Sequence, residues 1–452
     1  MKRSILLAIP LLLVGCLKSS PGDDQDQAPE IATSEGTSIE EPSEELPLIT
    51  TGGIPLLPAS SPQPAAKRWQ PKQEERDDFE TCFPEKRELD EEPGPHSNAI
   101  DTNQWKGKIV YVDGQTDGDG EKESPFRTLS EALNKTRDAK GPTLILVAGG
   151  DYEEPSVAVE GGQYLFGGFD PTNWERDLSS RPSVIRLTKG SLSISNNFSN
   201  DSKLKPILID GFEIYGAKTK EPAIKIVNEA RVILRNNIIS TNLDVVTWET
   251  YGDTHYGSAI KGVGASLHAY HNRFLVPSDT PQQVISRGIV MTSSCLVLEK
   301  NHLVSFRIPI SSSNSTGVIA GNIIEDGYNG LFTREEEITI ENNTIGLKAY
   351  ESGCGYAIYM ETRNAQKKTS PRIIDNQILL EGGSAKGINE ADVSSDPSVL
   401  TGNRFVLLDL VPPTTGTQML YGDADGPHDP NRVNQIISKI EEVDLLSDIP
   451  EI

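Results

Sequence analysis

Seven short apolar stretches of this chain end in the same tripeptide, Asn-x-(Ile/Leu/Phe). "ITIENNTIGL" begins at Ile338, and its echoes begin at Val232, Leu267, Leu296, Gly317, Arg372 and Ser398. The repeated Asn are Asn237, Asn272, Asn301, Asn322, Asn343, Asn376 and Asn403. Their spacing is uneven: the shortest step, Asn301 to Asn322, recurs from Asn322 to Asn343, and every other step is longer. A minimal unit therefore carries insertions of variable size. A second mark precedes the first: Ala223-Ile224, Ala259-Ile260, Gly288-Ile289, Gly330-Leu331, Ala357-Ile358 and Gly387-Ile388 each open a strand-like run. Two strand signals, a turn containing Asn and a third strand describe one coil of a parallel β-solenoid. One coil cannot bury its inner face alone, so stacked coils share a column of Ile, Leu, Val and Phe. Leucine-rich repeats also use Asn, but they need a fixed period and a Leu-x-x-Leu-x-Leu run, and neither is present. Asn is expected here for two reasons: it tolerates the left-handed backbone of a turn, and stacked Asn side chains hydrogen-bond along a column. Asp210-Gly211 and Gly167-Gly168 stand where later coils carry the Asn, and Gly accepts the same backbone.

The ends of an open solenoid must be covered. Thr128 and Glu131 have capping-box spacing, and Leu129, Ala132 and Leu133 share one face, which predicts a cap helix over 128–138. Asp429-Pro430 predicts a second helix at 429–452, with Val433, Ile436, Ile437, Ile440 and Val443 as its apolar stripe. The expected fold is all-β: a right-handed parallel β-helix of roughly nine to eleven coils over 101–428, with helical caps at both ends.

Before the repeats, Lys2 and Arg3 precede an apolar run from Ile5 to Val14 that is too short to span a bilayer. Leu13-Val14-Gly15-Cys16 resembles the bacterial lipobox, which implies cleavage before Cys16 and lipidation of that cysteine. No later segment is apolar enough to cross a membrane, so the expected partner is a lipid bilayer reached through an acyl anchor. Leu17 and Lys18, with no Asp after the Cys, point by the sorting pattern of such lipoproteins to the outer membrane. Residues 17–100 carry 19 acidic and 7 basic groups, a net of −12 out of −24 for the chain. So polar a segment buries too little apolar surface to offset its ordering entropy and reads as a disordered tether. The acidity argues against nucleic acid and anionic membrane surfaces as partners. Cys82, Cys295 and Cys354 are too few for a disulfide framework. Cys295 and Cys354 fall about two coils apart, near 10 Å, which predicts no bridge between them. Cys82 could pair with either.

"IVYVDGQTDGDGEKESPFRTLSEAL", "TLILVAGGDYEE" and "LFGGFDPTNWERD" resemble the opening of right-handed parallel β-helix proteins of the pectin-lyase-like superfamily. In particular they are similar to the domain of unknown function that begins many secreted bacterial β-helix lipoproteins. The resemblance covers about Lys108 to Phe405. It specifies the fold and leaves chemistry open, because the superfamily includes lyases, hydrolases, esterases and epimerases beside binding and adhesive proteins. It implies that a site would lie on the first strand of each coil and the loops entering it. With period two, the outward column is Lys225, Lys261, Val290, Phe332, Tyr359 and Asn389, with Arg334 and Glu361 two residues on.

The entering loops hold Trp248, Tyr251, Asp253, His255 and Tyr256, then Asp326, Tyr328 and Asn329, then Glu351 and Tyr356. Aromatic faces beside polar groups suit sugar rings. Trp248, Tyr251, His255, Tyr256, Tyr328, Phe332 and Tyr359 are therefore the candidate ligand-binding residues, with ordinary loop packing as the competing explanation. Lyase chemistry, by the resemblance, would need a Lys or Arg base and carboxylates that hold calcium. Lys261, Arg334 and Glu361 are the candidates. Asp117, Asp119 and Glu121 alternate as calcium ligands do, without the twelve-residue EF-hand pattern; a solvated turn explains them equally. Calcium is the one cofactor these residues suggest. The expectation for function is an envelope lipoprotein that binds polysaccharide or a protein partner, with a calcium-assisted polysaccharide lyase and a purely structural or adhesive protein as the alternatives.

Overall fold

The computed structural model describes residues 107–139, 141–196, 206–241, 257–277, 286–334, 337–348, 355–361, 371–381, 386–391 and 399–408, together with Thr102, Trp105, Tyr421–Asp423 and Val443–Leu445. Three parallel sheets run through them. Sheet 1 has ten strands, from Val157–Glu160 to Tyr421–Asp423. Sheet 2 has eleven, from Lys108–Val112 to Val399–Thr401, and sheet 3 has eleven, from Gly150–Glu154 to Val443–Leu445. The chain visits sheets 1, 2 and 3 in turn, and nine complete three-strand coils lie between Val157 and Leu408. This is a parallel β-helix, and its right hand is the sense in which parallel crossovers run.

The periodicity works as the repeat requires. On sheet 1, Ile224, Ile260, Ile289, Ile310, Leu331, Ile358 and Ile388 stack in register and are at most 2 % exposed. Among these seven strands one lacks the small-apolar mark: Ile308–Ser313 has Pro309 where the other six have Ala or Gly. Its outward residue, Ser311, stands in register between Val290 and Phe332 and is absent from the expected column.

The Asn side chains form a continuous ladder at the turn from sheet 2 to sheet 3. Each Nδ2 donates to the Oδ1 of the Asn one coil on, from Asn237 to Asn403, at 2.9–3.0 Å. It also donates to a sheet 2 carbonyl one coil back, as Asn322 does to Leu298 O at 2.9 Å. The backbone explanation for these Asn needs correction. The left-handed residue is the one before each: Asn236, His271, Lys300, Gly321, Asn342, Asp375 and Gly402 have φ between 53° and 67°. Gly211 holds the same earlier position (φ 79°), so Phe212 aligns with Asn237 and donates its N–H to Asn237 Oδ1 at 3.0 Å; Gly168 (φ 86°) is also left-handed, but the register sets it opposite Phe212, one residue later.

Helix α1, Leu129–Thr136, follows Thr128, whose hydroxyl accepts from Glu131 N at 3.1 Å. Leu129, Ala132 and Leu133 are buried at the N-terminal end of the core, and Gln163 Nε2 donates to Leu133 O. At the other end most of 429–452 lies outside the described residues. Its described part, Val443–Leu445, is a strand paired with Phe405–Leu407 rather than the end of a helical stripe: there Val443 continues the sheet 3 ladder, whose edge would otherwise lack a partner.

The stretch after Phe169 folds over the outer face of sheet 2. Arg176, 1 % exposed in its side chain, pairs with buried Asp210 at 3.0 Å and lies 5.4 and 5.9 Å from the rings of Phe166 and Phe169. Arg235 pairs with the same carboxylate at 2.6 Å. A Cβ on Gly211 would stand 2.4 Å from Arg176 Nη2, so glycine there admits the guanidinium. The Gly-Gly-Phe-Asp-Pro…Trp-Glu-Arg stretch is in this way an anchor for a covering loop.

Candidate functional site

Sheet 1 presents its outward column along one face of the helix. In register it reads Lys225, Lys261, Val290, Ser311, Phe332, Tyr359 and Asn389. Phe332 on Leu331–Arg334 and Tyr359 on Tyr356–Glu361 face each other across adjacent strands, with centroids 5.1 Å apart and planes 11° apart. That separation is close to the ~4.8 Å between neighbouring strands, so the rings lie flat along the axis of the stack. Tyr356 adds a tilted ring 5.3 Å from Tyr359. Burial holds the Tyr356 phenol above its ordinary range, with Tyr328 adding to the shift.

Two residues further along the strands, Arg334 Nε donates to Glu361 Oε2 at 2.9 Å. The guanidinium carbon is 5.6 Å from the Phe332 ring. At the entering edge Arg307 lies 5.1 Å from the ring of Tyr328, and Asn329 Oδ1 accepts from Tyr356 N at 3.0 Å. A Cβ on Gly355 would stand 2.1 Å from Tyr328 O, so this edge closes tightly. Arg307 is not among the residues singled out from the sequence. The signal was there: it precedes Tyr328 by one minimal coil, the same step that separates Asn301 from Asn322.

The catalytic candidates do not come together as one set. Arg334 and Glu361 engage each other through Nε and Oε2. Lys261 is exposed and stands three strands away, about 14 Å at the strand spacing. Asp119 Oδ1 accepts from Glu121 N at 3.4 Å, a turn contact. Among the described residues no three His, Cys, Asp or Glu side chains gather as a metal site, Asp117, Asp119 and Glu121 included. Trp248, Tyr251, Asp253, His255, Tyr256 and Glu351 lie outside the described residues, as do Cys16, Cys82 and Cys354. Tyr328, Phe332 and Tyr359 are the aromatic candidates that the structure brings to one face.

No protein-family profile matches the chain, and no curated protein does. Solved structures do. A pectate lyase aligns at 12 % identity over 73 % of this chain and 81 % of its own, with a TM-score of 0.37. A pectin methylesterase from Aspergillus niger aligns at 12 % identity over 77 % and 92 %, TM-score 0.29. A pectin methylesterase from Erwinia chrysanthemi aligns at 11 % over 65 % and 89 %, TM-score 0.30.

Proposed function

We propose that this chain is a lipid-anchored envelope protein whose sheet 1 face binds a glycan. The observation that carries the reading is the Phe332–Tyr359 stack. Beyond Phe332, on the side away from Tyr359, the column continues with Ser311, a side chain too small to cover a ring. A pyranose seated over Ser311 would extend the stack by one member, with its C–H face on Phe332 and its hydroxyls toward Arg334 and Glu361. The anchor rests on the sequence of the first sixteen residues, with Cys16 as the lipidated position and the outer membrane as the destination. Binding is preferred to lyase chemistry because Arg334 is already paired and Lys261 stands apart from it.

The test is a glycan panel on the detergent-solubilised full chain, with and without calcium, following binding and the ultraviolet absorbance of unsaturated uronate. The expected result is binding without absorbance growth, weakened roughly tenfold in Phe332→Ala, a loss of about 1.4 kcal/mol. Ser311→Trp, which fills the notch, should abolish it, and Lys261→Ala should leave it unchanged. Binding that survives both Phe332→Ala and Ser311→Trp overturns the reading. Absorbance growth lost in Lys261→Ala would make the chain a lyase instead.

A further inference from the structure

Sheet 3 carries a second outward face with features that its scaffold does not require. On the strands Ile238–Ser240, Arg273–Leu275, His302–Val304 and Ile323–Gly327, the side chains of Ile239, Phe274, Leu303 and Ile324 are buried in the core. The residues on either side of them therefore point out. In register they form two columns: Ile238, Arg273, His302 and Ile323, then Ser240, Leu275, Val304 and Glu325. Ile323 is 37 % exposed, one of two exposed large apolar side chains among the described residues. Ile238, Leu275 and Val304 are half-buried beside it.

Arg273 is an independent sign on the same face. Its Nε is buried with no hydrogen-bond partner, and among the described residues no carboxylate pairs with its guanidinium. A half-buried charge left in this state is costly, and a carboxylate from outside the chain would offset it. Glu325 cannot serve within the chain. It lies two strands and two residues away, about 12 Å. Its Oε2 instead meets His302 Nε2 at 2.9 Å, which leaves Oε1 uncommitted among the described residues.

We infer that this face pairs with the same face of a second copy of the chain. The two-fold axis runs parallel to the strands, midway between Arg273–Leu275 and His302–Val304. Such an axis reverses the order of the strands and keeps the two columns, so every contact occurs twice. Leu275 then faces Val304, and Ile238 faces Ile323. Arg273 comes opposite the His302–Glu325 pair of the second copy. The offset to that Glu325 is about 8 Å along the interface, which the two long side chains span. One strand further out, Tyr215 faces Gly346, a ring against a residue with no side chain. This matching of the face to its own reversed image singles out a second copy over an unrelated protein. The six strands from Tyr215 to Gly346 extend about 24 Å along the axis and about 10 Å across. That is short of the ~800 Å² each partner of a standard complex buries, so the dimer is weak. Sheet 1 stays uncovered in both copies.

The test is sedimentation equilibrium of the full chain in detergent micelles matched in density to the buffer, so that only protein mass is read. An ionic strength of about 0.15 M screens beyond about 8 Å and limits repulsion between two chains of net charge −24. The wild type should show a monomer–dimer equilibrium with a dissociation constant on the order of 100 μM. Arg273→Glu and Ile323→Glu should each weaken it by about tenfold or more. The double variant Arg273→Glu/Glu325→Arg exchanges the two charges and should return it to within about threefold of wild type. Circular dichroism confirms that each variant is folded. A wild type that stays monomeric to about ten times the expected constant overturns the proposal. So does a dimer that neither single substitution weakens, as sharing of micelles or another face would give. Single variants that dissociate beside a double variant that does not recover overturn the two-fold arrangement.

Discussion

Replacing Asn322 by Ala removes the centre of the ladder, and the cost can be worked group by group. Asn322 is 0 % exposed. Its Oδ1 accepts from Asn301 N at 2.9 Å and from Asn301 Nδ2 at 3.0 Å. Its Nδ2 donates to Leu298 O and to Asn343 Oδ1, both at 2.9 Å. After truncation Asn343 Oδ1 keeps the backbone N–H of residue 322, and Asn301 Nδ2 keeps Ala269 O. The Asn301 N–H and the second Asn301 amide hydrogen lose their partners in a dry interior. Each orphaned donor costs about 1–3 kcal/mol, so the loss should be on the order of 4 kcal/mol, a large share of a typical domain's stability.

Asn237 supplies an internal control. It ends the ladder, and its Oδ1 accepts only one donor from the preceding coil, Phe212 N. Asn237→Ala should therefore cost about half as much, roughly 2 kcal/mol. Urea unfolding followed by far-ultraviolet circular dichroism measures both, and hydrogen exchange at the Asn301 amide reads the orphaned donor directly. A loss below about 1 kcal/mol for Asn322→Ala would refute the reasoning, because it would mean that water satisfies the hole. So would a larger loss at Asn237 than at Asn322.

The same turn predicts a pair of opposite signs. Lys300→Gly relieves a left-handed residue (φ 53°) and should gain about 0.5 kcal/mol, while Gly321→Ala (φ 62°), where a Cβ meets nothing nearer than Lys300 Cγ at 3.7 Å, should lose about 1–2 kcal/mol in urea melts. Arg176→Met leaves Asp210 with one guanidinium in a buried site and should cost about 3 kcal/mol; Arg186→Met, which breaks an exposed pair with Asp151, should cost less than about 1. Hydrogen bonds from Ser180 and Ser179 lower the Asp177 carboxyl to about 2. Its contribution is present above the ordinary carboxylate value and is lost as pH falls toward 2, so Asp177→Asn should flatten the acid limb of the melting-temperature profile below about pH 4. Glu341 has the opposite sign. Burial, then Asp375 and Glu299, raise its carboxyl, so ionisation opposes folding as pH rises, and Glu341→Gln should raise the melting temperature more at pH 7 than at pH 4.

The fold was legible because its constraints repeat. From Leu192 to Ile388 each coil has an inward Ile or Leu at the same place, and an Asn recurs at the turn from sheet 2 to sheet 3 in each coil from Asn237 to Asn403. The misreadings fall where one requirement is divided between neighbours or where one coil departs from the rest. The ladder and the left-handed backbone looked like two properties of one Asn, but a residue in the ladder must keep its amide aimed along the axis. The backbone reversal is made one residue earlier, where Asn, His, Lys, Asp and Gly all serve. Pro309 hid a strand because a proline at the strand's edge supplies the same small apolar volume as Ala or Gly without looking like them. The covering loop was recognised only as a family-like stretch. Its purpose, carrying Arg176 across two glycines onto Asp210, is a contact between positions far apart in sequence, which no local pattern encodes.

The outward face was less legible for a related reason. Inward positions are bound by a shared volume, whereas outward ones answer only to their neighbours on adjacent strands, so a functional pair shows no period. Phe332 and Tyr359 are separated by a whole coil and its insertion, and only the correct register makes them one platform. Both the ladder and the platform are stacks at the strand spacing, yet they differ in what they leave unfilled. An interior ladder Asn spends all four of its hydrogen-bonding valences on its neighbours, and so the ladder has nothing to offer a ligand. The aromatic stack has only two members, and its column continues with Ser311, which leaves one ring face without an aromatic neighbour along the column. A coil that placed a large apolar side chain at that position would have closed the face, as Leu and Ile close the inward column from Ile224 to Ile388. The serine there is what makes this part of a structural scaffold a candidate for recognition.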